Sequence, residues 1–206
     1  MKLRHHTPLI AIAAGLCLFF LATRYYPGGT SDSDVTVGYS WTHNFISSLF
    51  ASHALNGSAN PARYIAIPAM LLVCVGLALM FRRISASVGS RVHRKLIEIG
   101  GIGSMVYAFL VVTPMHDLMV SIALLFALVA LIATLHALYV ERLWLPFAGG
   151  AVCIALLSLA AVSYYGKVFY GLLPLLQKAS MAACVGWLSW LQYRLHSPAS
   201  KPVEGR

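Results

Sequence analysis

Six long apolar runs, separated by short polar stretches, constrain this chain more than anything else in it. They cover residues 8–26, 64–81, 96–114, 118–140, 143–165 and 170–193. Each approaches the roughly 20 residues that a helix needs to cross the hydrocarbon of a bilayer. In hydrocarbon the backbone must satisfy its own hydrogen bonds, so helices are the default. The strict alternation of a membrane barrel is absent. The expected fold is therefore all-α, a polytopic bundle of six transmembrane helices forming one integral membrane domain over residues 1–206. Composition agrees, since 59% of the residues are hydrophobic and only 10% charged, against about 25% charged in a soluble domain.

The net charge of +9 does not describe a nucleic-acid surface, because the basic residues sit at the ends of apolar runs. With the N-terminus inside, Lys2, Arg4, Arg82, Arg83, Arg91, Arg94, Lys95, Arg142, Arg194, Lys201 and Arg206 are cytoplasmic, eleven in all. Arg24, Arg63 and Lys167 flank outer loops, and Lys178 lies inside the sixth run. This asymmetry predicts a cell-membrane (inner or plasma membrane) protein with both termini cytoplasmic. The first run lacks an A-x-A-like site and ends in Arg24, Tyr25 and Tyr26, which read as an interfacial belt of a retained anchor rather than a signal peptide. The basic stretch 82–95 reads as a topology determinant facing anionic lipid.

Between the first two runs lies a polar island, YSWTHNFISSLFASHALNGSANPAR, from Tyr39 to Arg63. Trp41, Phe45, Leu49 and Phe50 recur at helical spacing, which predicts a short amphipathic helix at the outer interface. Its polar positions His43, Asn44 and Ser47 are candidate ligand-binding residues, with His43 and Ser47 sharing one face. Asn56-Gly57 and Asn60-Pro61 predict turns.

Three further places carry polar chemistry. His116 and Asp117 follow Pro114 at the outer junction of the third and fourth runs. Asp117 is expected to cap the fourth helix, and His116 beside it is a candidate proton donor or acceptor. Gln177 and Lys178 lie about 11 Å into the sixth run. A charge at that depth costs about 2.5–3.5 kcal/mol on insertion scales. Lys178 is therefore expected to face the bundle interior and to reach Asp117. Glu98 is expected to pair with Arg94 one turn away, and His136 to be a hydrogen-bonded structural histidine.

No nucleotide loop, serine-hydrolase elbow or zinc-protease signature occurs, and no cofactor is expected. His116 and His136 are about 30 Å apart on a helix and cannot share a haem. Gly100, Gly101 and Gly103, with Gly149 and Gly150, read as helix-packing surfaces. The four cysteines lie singly in apolar runs, as small hydrophobes. No metal-binding spacing is present. The polar candidates fall on one side of the membrane, which points to binding or processing of a membrane lipid or another amphipathic molecule at an outward-facing polar cavity. Two other readings stand beside it: an accessory subunit with a membrane-protein partner, and a hydrolase with His43, His53, His116 and Asp117 around a metal.

The segment FISSLF, the NPAR entry to the second run and the TPMHD junction resemble the six-span membrane family known as domain of unknown function 998. The resemblance covers most of the chain and implies the same six-span fold. It points to Ile46, Ser47 and Leu49, to Asn60, Pro61 and Arg63, and to Pro114, His116 and Asp117. Ser48 stands where that family's segment is expected to carry an acidic residue. The family has no established activity to transfer.

The topology makes a direct prediction. In a cysteine-free background, Leu55→Cys should react with an impermeant thiol reagent added from outside. Labelling only from the cytoplasm would overturn the orientation.

Overall fold

In the computed structural model, the backbone of residues 3–196 and the side chains of 6–195 are described. Lys2, Lys201 and Arg206, which enter the charge asymmetry, lie outside those residues, as does the side chain of Arg4. The described residues form six α-helices and no strand: α1 (Leu3–Thr23), α2 (Arg63–Ala86), α3 (Arg91–Leu110), α4 (His116–Val140), α5 (Trp144–Gly166) and α6 (Leu173–His196). The tight connections at 87–90, 111–115, 141–143 and 167–172 make consecutive helices from α2 to α6 run antiparallel.

Four of the six are long and apolar enough to cross a membrane: His6–Thr23 within α1, then α2, α4 and α5. The expectation of six such spans meets two helices of a different kind. The first turns of α3 carry Arg91, Arg94, Lys95 and Glu98, and α6 carries Lys178 and Arg194 as well as Gln177 and Gln192. Those side chains lower the mean apolarity of helices that are otherwise of spanning length.

Small residues determine which helices touch. A Cβ added at Gly100 would come within 2.9 Å of the Phe126 carbonyl and the Ala130 nitrogen, both backbone atoms of α4. Gly15 and Gly76 similarly let α1 and α2 approach backbone to backbone. The buried apolar side chains form two groups. One, with Met80, Ile84, Ile97, Leu138, Trp187 and Leu191, lies toward the end where α2 finishes. The other, with Phe19, Tyr26, Leu49, Phe50, Ala66 and Val73, lies beneath the long connection between α1 and α2.

That connection, residues 24–62, folds as a cap over the opposite end. The amphipathic helix expected from Trp41 onward does not form. Only Ile46–Phe50 is helical, as a short 3-10 turn. The reason is Asn44, which is fully buried. Its Oδ1 accepts from the Ser40 N–H at 2.8 Å, while its Nδ2 donates to the Gly29 carbonyl at 2.8 Å. The backbone is thereby closed into a turn over 40–44 before Phe45 leaves it extended. An asparagine side chain that competes for backbone groups favours such turns over helix.

The predicted turn at Asn56-Gly57 is present, with Gly57 at φ +80° and the Ser58 N–H bonded to Asn56 Oδ1. Tyr26 is not part of an exposed belt. It is 3% exposed and its hydroxyl accepts from the Leu55 N–H at 3.1 Å. Burial raises the pKa of both Tyr26 and the neighbouring Tyr39 above the ordinary phenol value, with Tyr26 adding to the effect on Tyr39.

Asn60 ties the C-terminal end of the cap to its 3-10 turn. Its Nδ2 donates to the carbonyl of Ala51 at 2.9 Å and lies 3.3 and 3.4 Å from those of Ser48 and Leu49, and its Oδ1 accepts from the Ala62 N–H at 3.2 Å. Asn60→Ala should cost about 1–3 kcal/mol, the penalty for leaving buried polar groups unpaired. The checks are a lowered unfolding midpoint in detergent and faster proteolysis within residues 24–62.

Candidate functional site

A cavity of about 660 Å³ opens beneath the cap, between α2, α3 and α4 on one side and α5 and α6 on the other. Along α6 its wall runs from Leu173 to Leu188, and along α4 from His116 to Leu131. Each stretch is a rise of about 22 Å. The walls are built from apolar side chains such as Met70, Leu77, Met105, Leu124, Leu157 and Met181. Of the three serines that line the cavity, the two on the helical wall, Ser104 and Ser180, donate their hydroxyls to the Gly101 and Leu176 carbonyls of their own helices.

Polar and charged groups gather at the cap end. His116 Nδ1 lies 2.9 Å from Asp117 Oδ1, so the adjacent residues do touch through their side chains. The same carboxylate oxygen accepts from the Tyr164 hydroxyl at 2.7 Å. Asp117 is in the first turn of α4, where its charge suits the helix dipole. It does not make the expected cap: the N-cap is Met115 and carries no side-chain cap bond. The Ser121 hydroxyl donates to the Asp117 carbonyl at 2.8 Å and lies 2.7 Å from the Tyr165 hydroxyl. The Lys167 ammonium stands over the rings of Tyr164 and Tyr170, 5.1 and 4.8 Å from their centroids. This is within the reach of a cation–π contact.

Of the seven residues singled out from the sequence, Ser47, His116, Asp117 and Gln177 line this cavity. His43, Asn44 and Lys178 do not. His43 Nδ1 stays in its own turn, 2.7 Å from Thr42 Oγ1 and 3.1 Å from Ser40 Oγ. It borders a shallow outer crevice of about 50 Å³ with Ser31, Asp32 and Phe45. Because His43 precedes the 3-10 turn, it shares no helix face with Ser47.

Lys178 does not pair with Asp117. It is half-buried as expected, but its Nζ donates to the carbonyls of Asn44, at 2.5 Å, and Pro174, at 3.0 Å. It also lies 5.6 Å from the Tyr39 ring centroid. Its neighbour Gln177 accepts from the Ile46 N–H at 3.0 Å through Oε1. Consecutive residues of α6 therefore grip the cap, one by an ammonium and one by an amide. The predicted Asp117 partner failed because main-chain oxygens, which leave no mark in a sequence, satisfy the charge first.

Tyr164, Tyr165, Lys167 and Tyr170 complete the mouth and were not anticipated. The signal was the run SYYGKVFY, which reads on sequence grounds as an ordinary interfacial aromatic belt. At the opposite end, His136 has the hydrogen-bond partner expected of it. Its Nδ1 lies 2.7 Å from His93 Nε2, with the rings stacked at 4.7 Å. Arg94 gives its guanidinium to the Val88 carbonyl at 3.4 Å rather than to Glu98. Among the described residues, no three of His, Cys, Asp and Glu gather as a metal-holding group, so His43, His53, His116 and Asp117 form no shared centre. No family model, curated protein or solved structure matches the chain.

If Lys178 serves the cap and Asp117 the mouth, the two should be energetically independent. A double-mutant cycle of Lys178→Met and Asp117→Asn, read by unfolding in detergent, should be additive within about 0.5 kcal/mol. A coupling clearly above 1 kcal/mol would mean that the two charges pair after all.

Proposed function

We propose that this protein is a six-span protein of the cell membrane that binds or processes a lipid, or a similar amphipathic molecule, in the cavity beneath its cap. The six-span reading rests on the alternating direction of helices α2–α6 and on the spanning length of α3 and α6. The Lys and Arg asymmetry favours cytoplasmic termini and an outward-facing cap. The resemblance to the domain of unknown function 998 family agrees with that architecture and adds no activity.

The observation that carries the functional reading is the distribution of polarity in the cavity. Its volume falls within the range of about 300–1,000 Å³ typical of small-molecule sites. Polar side chains with groups to offer are confined to the mouth, while the deep wall presents hydrocarbon. A water-soluble metabolite would gain little from such a wall. An apolar chain gains about 0.8 kcal/mol for each methylene buried from water, and even a molecule drawn from the bilayer gains a fixed polar end.

Ala127 and Ala160 line the cavity from α4 and α5, and Leu125 points outward, 65% exposed. Protein purified in mild detergent should carry tightly held lipid that survives delipidating washes. Ala127→Trp or Ala160→Trp should lower it by about tenfold, a difference of about 1.4 kcal/mol. Leu125→Trp should leave it unchanged. Equal retention in all three variants would assign the lipid to the outer surface and defeat the reading.

A further inference from the structure

The charges at the mouth are not equivalent, and the difference bears on which head group the cavity takes. Asp117 bonds His116 and Tyr164 through Oδ1 alone, stays exposed, and feels the charge of Lys167 across the mouth. Lys178 is engaged elsewhere, held by two main-chain carbonyls and outside the cavity wall. Lys167 is the only lysine or arginine among the described residues that line the cavity. It is exposed, follows the last residue of α5 in a left-handed conformation (φ 55°, ψ 24°), and rests on two aromatic rings. Ring faces attract a cation without cancelling its charge, so the ammonium keeps its capacity for an anion.

A hydrogen-bond donor stands at the same rim. Because Gln177 accepts from the Ile46 N–H through Oε1, its amide NH₂ is the end left to donate. From this rim the apolar wall descends about 22 Å along α4 and α6, with both wall serines turned to their own helices.

We propose that the cavity holds a chain lipid with an anionic head group, the head at Lys167 and the chain along α4 and α6, and that Lys167 selects the charge of the head. This rests on the lipid-binding reading above and names its ligand class. A cationic head would meet Lys167 directly, and Asp117, the one carboxylate among the described residues of the wall, is already shared by His116, Tyr164 and the charge of Lys167. An anionic head meets an ammonium that rests on two rings and has no carboxylate within ion-pair distance among the described residues.

The test uses the full chain in non-ionic detergent, titrated with two lipids of one acyl chain: palmitoyl lysophosphatidylglycerol, which is anionic, and palmitoyl lysophosphatidylcholine, which is zwitterionic. Bound lipid is read by native mass spectrometry. The wild type should prefer the anionic lipid by roughly threefold to fivefold, the scale of an exposed ion pair, and the preference should shrink as salt is added. Lys167→Gln should remove the preference by weakening the anionic lipid alone, and Lys167→Arg should retain it. Ala127→Trp should weaken both lipids together. If Ala127→Trp blocks both while Lys167→Gln keeps the preference, the charge selection is wrong and the lipid cavity stands. If Ala127→Trp changes neither, the cavity reading falls and this proposal falls with it.

Discussion

A backbone group shut away from water must find its hydrogen bond within the chain, and the rest of this structure depends on that constraint. Six helices satisfy their own backbones along most of their length. The chain that does not do so is the connection of residues 24–62, and it collects at one end. There backbone bonds across turns are joined by bonds from buried side-chain amides. Asn44 and Asn60, 0% and 2% exposed, between them bond main-chain groups of Gly29, Ser40, Ala51 and Ala62. An irregular segment fixed in this way is rigid enough to serve as a roof. The same amides explain why it is not a helix, because they occupy backbone groups that a helix would have used.

The cavity under that roof follows from uneven helix packing. Glycines at 15, 76, 100 and 101 allow α1, α2, α3 and α4 to approach closely. The pair α5 and α6 is held at the far end instead. There Trp187 of α6 sits against Gly149 and Gly150 and donates its indole N–H to the Pro146 carbonyl at 2.9 Å. Leu135 of α4 reaches Gly150 from the other side. Toward the cap no comparable wedge exists, and the facing positions are small: Ala123 and Ala127 on α4, Ala160 and Ala161 on α5. One end is thus closed by an aromatic side chain in a glycine notch, and the other stands open beneath the cap.

How much of this could be read from the sequence depends on how local its cause is. The helices followed from run length, and the turn at Asn56-Gly57 followed from two adjacent residues. Burial of Lys178 followed from the cost of leaving a charge in lipid. Its partner did not, because the Asn44 carbonyl is brought to it by the fold of a segment 134 residues away. The helix expected over Trp41–Phe50 was lost to a side-chain contact between Asn44 and Gly29, which no periodicity records. Alanines that face an opening look the same in sequence as alanines that pack. The polar residues of the mouth pointed to an outward-facing cavity, but its deep apolar wall had no sequence signal, and neither did the His93–His136 contact between two helices.

The two lysines of this end show how position decides what a charge does. Lys178 emerges inside a helix, half-buried, and its ammonium is spent on main-chain oxygens that hold the roof. Lys167 sits one residue beyond a helix end, in a backbone conformation that ends the helix and turns the chain toward α6. There the last carbonyls of α5 carry the negative end of the helix dipole, which favours a cation without requiring an ion pair. The Tyr164 and Tyr170 rings hold that cation at the cavity mouth, and Tyr164 at the same time bonds Asp117 through its hydroxyl. One tyrosine thus keeps the carboxylate occupied and the ammonium in place. Removing its ring would leave Asp117 to His116 and Lys167 to Tyr170 alone, so both charges at the mouth would be held less firmly.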